Sequence, residues 1–147
     1  MPQLESAEFG HLDYAEKDVY HFPEGLPGFE HAHDFLLYDP PALAPLQALI
    51  HVVPPVLRFY ALDWNLVAPD CLTTLTEEDR RALELTPGEP PALRLALVTW
   101  LEGEHPTVNL LAPVVLNPTA RRGLQVIQFE SAYSCRHPLL IERDPCS

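Results

Sequence analysis

The sequence predicts a mainly β fold: a compact, antiparallel, β-barrel-like single domain over residues 1–147, with one short helix. Three observations carry that expectation. Seventeen of the 147 residues are Pro, dispersed along the chain, where average usage is about 5%. Each interior Pro would remove a helical donor and clash with the preceding turn, which argues against long helices. Seven stretches carry the alternating or continuous apolar pattern of strands, and one segment carries the start and stop signals of a helix.

In chain order the strands are expected at 18–22, 35–38, 46–53, 57–62, 92–101, 107–116 and 124–129, enough to close a barrel. The clearest is ALRLALVTWL, in which Leu93, Leu95, Leu97 and Leu101 share one face and Arg94 sits on the other. The face opposite the leucines is also apolar, with Val98 and Trp100. EGEH before Pro106 and NPTARRG from Asn117 supply turns at the spacing of antiparallel hairpins. The helix is expected at 76–85. Thr76 can cap its first turn, Glu77, Glu78 and Asp79 put negative charge at the positive end of the dipole, and Pro87 with Gly88 stops it.

A chain of 147 residues is one domain by length, large enough for a real core. Lys and Arg number 9 against 21 Asp and Glu, a net charge of −12, so a phosphate backbone would meet repulsion and direct nucleic-acid binding is not expected. The charge is uneven: residues 1–57 hold nine acids and one Lys. A 47% hydrophobic composition is too apolar for disorder. The longest apolar run, LALVTWL, is far short of the ~20 residues that span a bilayer. The acidic N-terminus, MPQLESAEFG, has neither the basic segment nor the apolar run of a secretory signal, so a cytoplasmic location is expected. Three Cys, at 71, 135 and 146, do not suit a disulfide framework and are expected to be free thiols.

Chemistry-bearing constellations are sparse. His31 and His33 in HAHD could ligate a metal from one face of a strand, but no third ligand stands at a recognisable spacing, and a solvated turn explains them as well. Cys135 and His137 in SCRHP would form a nucleophile and base only if they converged in a pocket. Glu102 and Glu104 flank Gly103 as a solvated hairpin tip would. Marks of hydrolases and nucleotide enzymes are absent: no nucleophile elbow, phosphate loop or dinucleotide fingerprint occurs. Neither catalysis nor a metal or other cofactor is expected; the alternative is a small metal-dependent barrel enzyme using His31 and His33.

The GLPGFE segment differs. Gly25 and Gly28 permit positive φ or close backbone approach, and Pro27 fixes a turn. Leu26 and Phe29 can dock onto the core or face a partner, within an acidic rim of Glu24, Glu30 and Asp34.

Three segments in order, HFPEGLPGFEHAHDFLLY, PTVNLLAPVVLNPTARRGLQVIQ and YSCRHPL, together resemble the bacterial flagellar assembly factor FliW family. The central RFYALDWNLVAPDC resembles it more loosely, with Trp64, Asn65 and Cys71 departing from the family's apolar strand, Asn-Pro turn and aromatic. The resemblance implies a β-barrel-like fold and a non-enzymatic binding role by partner switching. Such proteins bind the translational repressor CsrA, relieving its repression of flagellin mRNA, and bind flagellin, which draws them off CsrA. A flagellin chaperone without a regulatory role is an alternative. The protein is expected to be a monomer when free.

Within the motifs, Gly25, Pro27, Gly28, Asn109, Pro113 and Gln125 have a structural reading: Asn109 and Gln125 could bond backbone on adjacent strands, and Pro113 could mark an edge or bulge. Partner contacts are expected at Glu24, Leu26, Phe29, Glu30, Asp63 and Trp64, where acid stands beside apolar anchors.

Overall fold

The computed structural model describes residues 2–54, 56–90, 93–139 and 145–146. Ala92, expected at the start of a strand, lies outside them. Ten strands and two short α-helices are present among the described residues. β1 (Gln3–Ser6) and β2 (Gly10–Asp13) form a separate hairpin. β3 (Val19–His21), β4 (Asp34–Tyr38), β5 (Gln47–His51), β6 (Arg58–Asp63), β7 (Leu93–Thr99) and β8 (Thr107–Asn117) follow as an antiparallel meander. β9 (Arg122–Gln125) pairs with β8 on one side and, in parallel, with β3 on the other, closing a seven-stranded barrel. β10 (His137–Pro138) adds to β8 outside the ring.

Alternation of side chains across each strand divides the apolar residues between the barrel interior and an outer layer. Phe35, Leu49, Ala61, Leu95, Val114 and Leu116 pack inside. Their neighbours face outward, where three coverings bury them. The β1–β2 hairpin lays Leu4 and Leu12 on Leu36, Ala48 and Ile50. The helix α1 (Trp64–Val67) and the chain after it cover Ala96, Val108 and Leu110. The helix α2 (Glu77–Ala82) and the turn behind it cover Val115, Leu124 and Val126. The apolar outer face of β7 thus has its reason: Val98 packs beneath the α1 layer. Trp100 and Leu101 fall beyond the strand and are exposed.

The structure departs from the local expectations in four places. The β1–β2 hairpin was not expected, because its four-residue strands are too short to establish a period. Helix α2 ends at Ala82, short of residue 85. It has the capping box of Thr76 and Asp79, but Leu83 and Leu85 drop into the core around a left-handed Glu84 (φ 56°), and Asn117 Nδ2 donates to the Leu83 carbonyl at 2.7 Å. A second helix, α1, starts on Asp63, whose carboxylate accepts the Asn65 N–H at 2.9 Å.

The strand expected at 124–129 is instead Arg122–Gln125, and Pro113 explains its early end. Val126 N–H donates to the Pro113 carbonyl at 2.9 Å, but Pro113 has no N–H to return, so the reciprocal pairing is broken there and only one-way bonds to β8 continue. Here β8 bulges: Leu95 faces Val114 while Leu97 faces Asn109. Asn109 Oδ1 accepts the Ala112 N–H at 3.0 Å, and Gln125 Nε2 donates to the Ala112 carbonyl at 3.1 Å. The Ala112 N–H and carbonyl are satisfied by these two side chains.

The β3–β9 closure rests on one bridge, His21 to Arg122, beside which the Phe22 ring lies on Gly123. A Cβ at Gly123 would overlap that ring. Gly123→Ala is therefore expected to cost about 1–3 kcal/mol by overpacking, read as a lower urea midpoint. Gly123→Ala combined with Phe22→Leu should recover part of the loss, and a Gly123→Ala protein as stable as the parent would overturn this packing.

On the exposed hairpin, the His11 ring lies 2.6 Å from Glu5 Oε1 and 3.2 Å from Asp13 Oδ1. Glu5 first, then Asp13, raises its pKa above the ordinary 6.5. A raised folded pKa gives stabilisation that is fully present below the unfolded value and lost as pH rises through the folded one. Proton NMR should show His11 titrating above 6.5, and Glu5→Gln should move it down.

Candidate protein-binding site

GLPGFE folds into a tight turn at one mouth of the barrel. Leu26 and Phe29 form an isolated bridge, their N–H groups donating to each other's carbonyls at 3.4 and 2.7 Å. Pro27 and Gly28 make the corner, with Gly28 at φ 85°. Gly25 is left-handed (φ 63°), and a Cβ there would lie 2.5 Å from the Phe29 carbonyl oxygen, so the backbones approach as only Gly allows. The turn points Leu26 into the barrel core. Phe29 is 40% exposed, its ring edge-on to Phe59 at 5.2 Å. Glu24 and Glu30, at the two ends of the segment, are exposed.

Two of the expected contact residues present no surface and are corrected to core. Leu26 is 2% exposed. Trp64 is fully buried in the α1 layer, with Nε1 donating to the Cys71 carbonyl at 3.1 Å and the Arg94 guanidinium over its ring at 5.5 Å. Burying a large ring with its N–H satisfied is the lower-energy choice. Asp63, half-buried, is the cap of α1.

The cysteines are corrected as well. Cys71 and Cys146 form a disulfide, with Cα atoms 5.4 Å apart, that ties the C-terminal end to the chain after α1. Cys135 is free and exposed. The odd count concealed a pair with one thiol left over.

His31 lies exposed in a turn rather than on a strand. His33 bonds through Nδ1 to the Phe22 carbonyl at 2.8 Å and stacks on His21. Among the described residues no three His, Cys, Asp or Glu are grouped to hold a metal. His137 sits in β10, paired with Val108. No helix among the described residues is long and apolar enough to cross a membrane.

One surface was not read from the sequence at all. Beyond the β3–β9 bridge the two chains separate, and a groove of about 940 Å³ runs between residues 72–79 and 124–133, with Glu24 on its margin. Its large exposed apolar side chains are Leu72, Ile127 and Phe129, the last 85% exposed. Gln128 builds the wall: its amide accepts from the Thr74 N–H at 2.7 Å and donates to the Thr74 carbonyl at 3.1 Å. Tyr133 Oη donates to the Leu72 carbonyl at 2.7 Å. Exposed apolar residues following a strand were the only sequence signal, and they were absorbed into the strand expected at 124–129.

A closed seven-stranded barrel, covered on its outside by a hairpin and two short helices and carrying the exposed Phe29 on a tight turn at one mouth, defines a class of small β-barrel protein. Residues 3–139 match the family model described as FliW protein, and the chain belongs to the FliW family. It is 36% identical over 132 residues to the flagellar assembly factor FliW of Pseudothermotoga lettingae, covering 88% of this chain and 83% of that protein. It is likewise 36% identical over 146 residues to that of Moorella thermoacetica, covering 95% and 89%. A crystal structure of the flagellar assembly factor FliW matches with a TM-score of 0.85 at 28% identity, covering 97% of this chain and 99% of the other.

Proposed function

We propose that this protein acts in the cytoplasm as a flagellar assembly factor that binds CsrA, relieves its repression of flagellin synthesis, and exchanges CsrA for flagellin. The supporting observation is the preshaped GLPGFE turn, which leaves the Phe29 ring 40% exposed in a segment that also exposes Glu24 and Glu30, on a chain of net charge −12. An acidic surface speeds encounter with a basic RNA-binding protein. An aromatic on a rigid turn supplies contact area at low entropic cost.

Relief of repression requires tighter binding to RNA-free CsrA than to RNA-loaded CsrA, and the same coupling makes RNA weaken the association. Calorimetry against CsrA of the same organism, with and without its RNA and then after saturation with flagellin, tests the reading. Saturable binding that RNA and flagellin each weaken is the expected result. Equal affinity for free and RNA-loaded CsrA would overturn the antagonism, and binding to flagellin alone would leave a chaperone. Glu24→Lys with Glu30→Lys is expected to weaken CsrA binding several-fold and flatten its salt dependence; unchanged binding would remove both from the interface.

A further inference from the structure

We infer that the groove between β9 and the chain after α1 is a docking channel for an extended, basic segment of a partner protein. This inference rests on the partner-binding reading above and names a surface and a ligand chemistry for it. The apolar floor and the charge of the rim specify the occupant together. Leu72, Ile127 and Phe129 are 79%, 42% and 85% exposed, and all three line the channel. Exposed apolar side chains gathered in a concave site mark a surface built to be covered. The acids on the channel are Glu24, Glu78, Asp79 and Glu130, and none of the described residues lining it is Lys, Arg or His. A segment with apolar side chains below and Lys or Arg above complements both features, whereas an acidic segment would be repelled.

The backbone argues for an extended occupant. Val126 and Gln128 both turn their N–H groups to β8, donating to the Pro113 and Leu111 carbonyls at 2.9 and 2.7 Å. Alternation in an extended chain directs the intervening Ile127 N–H away from β8. On that side β3 has already diverged, since its pairing with β9 is the single bridge at His21 and Arg122. The chain past Gln125 therefore offers a sheet edge to which an incoming strand can add, with its alternate side chains meeting Ile127 and Phe129. The divergence of β3 after its single bridge to β9 is what leaves this edge open.

The test uses the intact protein, labelled with nitrogen-15, and a peptide alternating Lys with Val and Phe. Its control alternates Glu with the same apolar residues. Amide shifts concentrated at Leu72 and residues 125–130, seen with the Lys peptide and weakened by added salt, are expected. Phe129→Ser should weaken the association about tenfold, the scale of a buried aromatic anchor, while Trp100→Ser, at the exposed β7–β8 tip, should leave it unchanged. Phe129 is 85% exposed, so its replacement does not threaten folding. No shifts with the Lys peptide, equal binding of the Glu peptide, or shifts centred on another face would each overturn the channel. The same variants are then titrated with CsrA and with flagellin. If the peptide binds in the channel but neither protein binds the parent chain, the partner-switch reading fails and the channel stands. If CsrA binds the parent and Phe129→Ser alike, the channel is not its site.

Discussion

Trp64→Ala is expected to cost about 3–5 kcal/mol of folding stability, the range for truncating a large buried ring. The side chain is fully buried among Leu62, Ala68, Cys71, Ala96, Val108 and Leu110. It also holds the loop after α1, through Nε1 and the Cys71 carbonyl. Trp64→Phe should cost much less, about 1–2 kcal/mol, because Arg94 still donates to the same carbonyl at 3.1 Å. Urea unfolding would read both as lower midpoints with an unchanged slope. Partner affinity of the folded Trp64→Phe protein should equal that of the parent. A stable Trp64→Ala protein that had lost only partner binding would return this residue to the interface.

Reducing the Cys71–Cys146 disulfide is expected to lower stability by about 4 kcal/mol, a fall in Tm of roughly 10–20 °C, from the unfolded-chain entropy that the crosslink removes. The two residues are 75 apart in sequence, so the bond closes a long loop. It also fastens the C-terminal end over the α1 layer, where Cys146 packs with Val67 and Leu139 against the buried Cys71. Thiol labelling of the unreduced, unfolded protein should modify Cys135 alone, and labelling after reduction all three. Three reactive thiols before reduction would show that the bond does not form. Cys146→Ser should reproduce the stability loss without further response to reductant.

What could be read in advance was local. The β8–β9 hairpin follows from NPTARRG, with Asn117 facing Arg122 across the turn. The start of α2 follows from Thr76 and Asp79, which bond each other's backbone as a capping box. Leu93, Leu95 and Leu97 on one face of β7 follow from period two, and all three pack toward the barrel interior. Each of these signals lies within a few residues.

The site was legible in part. GLPGFE announced a rigid turn, but its composition could not say which apolar residue would point inward. The Leu26–Phe29 bridge and the depth of the barrel mouth decided that, burying Leu26 and leaving Phe29 exposed against Phe59. The groove was not legible, because Leu72 and Phe129 are brought to one surface by long-range bonds, Gln128 to Thr74 and Tyr133 to Leu72.

By itself the sequence determined that this is a mainly β, acidic FliW-family protein: strand periodicity, Pro placement, net charge and the motif order are properties of the chain alone. Only the tertiary structure decided that the barrel closes between β3 and β9, that Cys71 meets Cys146, that Trp64 is core, and that an acid-rimmed groove opens beyond Gln125. The physical reason is range. Periodicity and capping act between neighbours, whereas closure, crosslinking and concavity depend on segments whose meeting is fixed by the packing of the whole barrel.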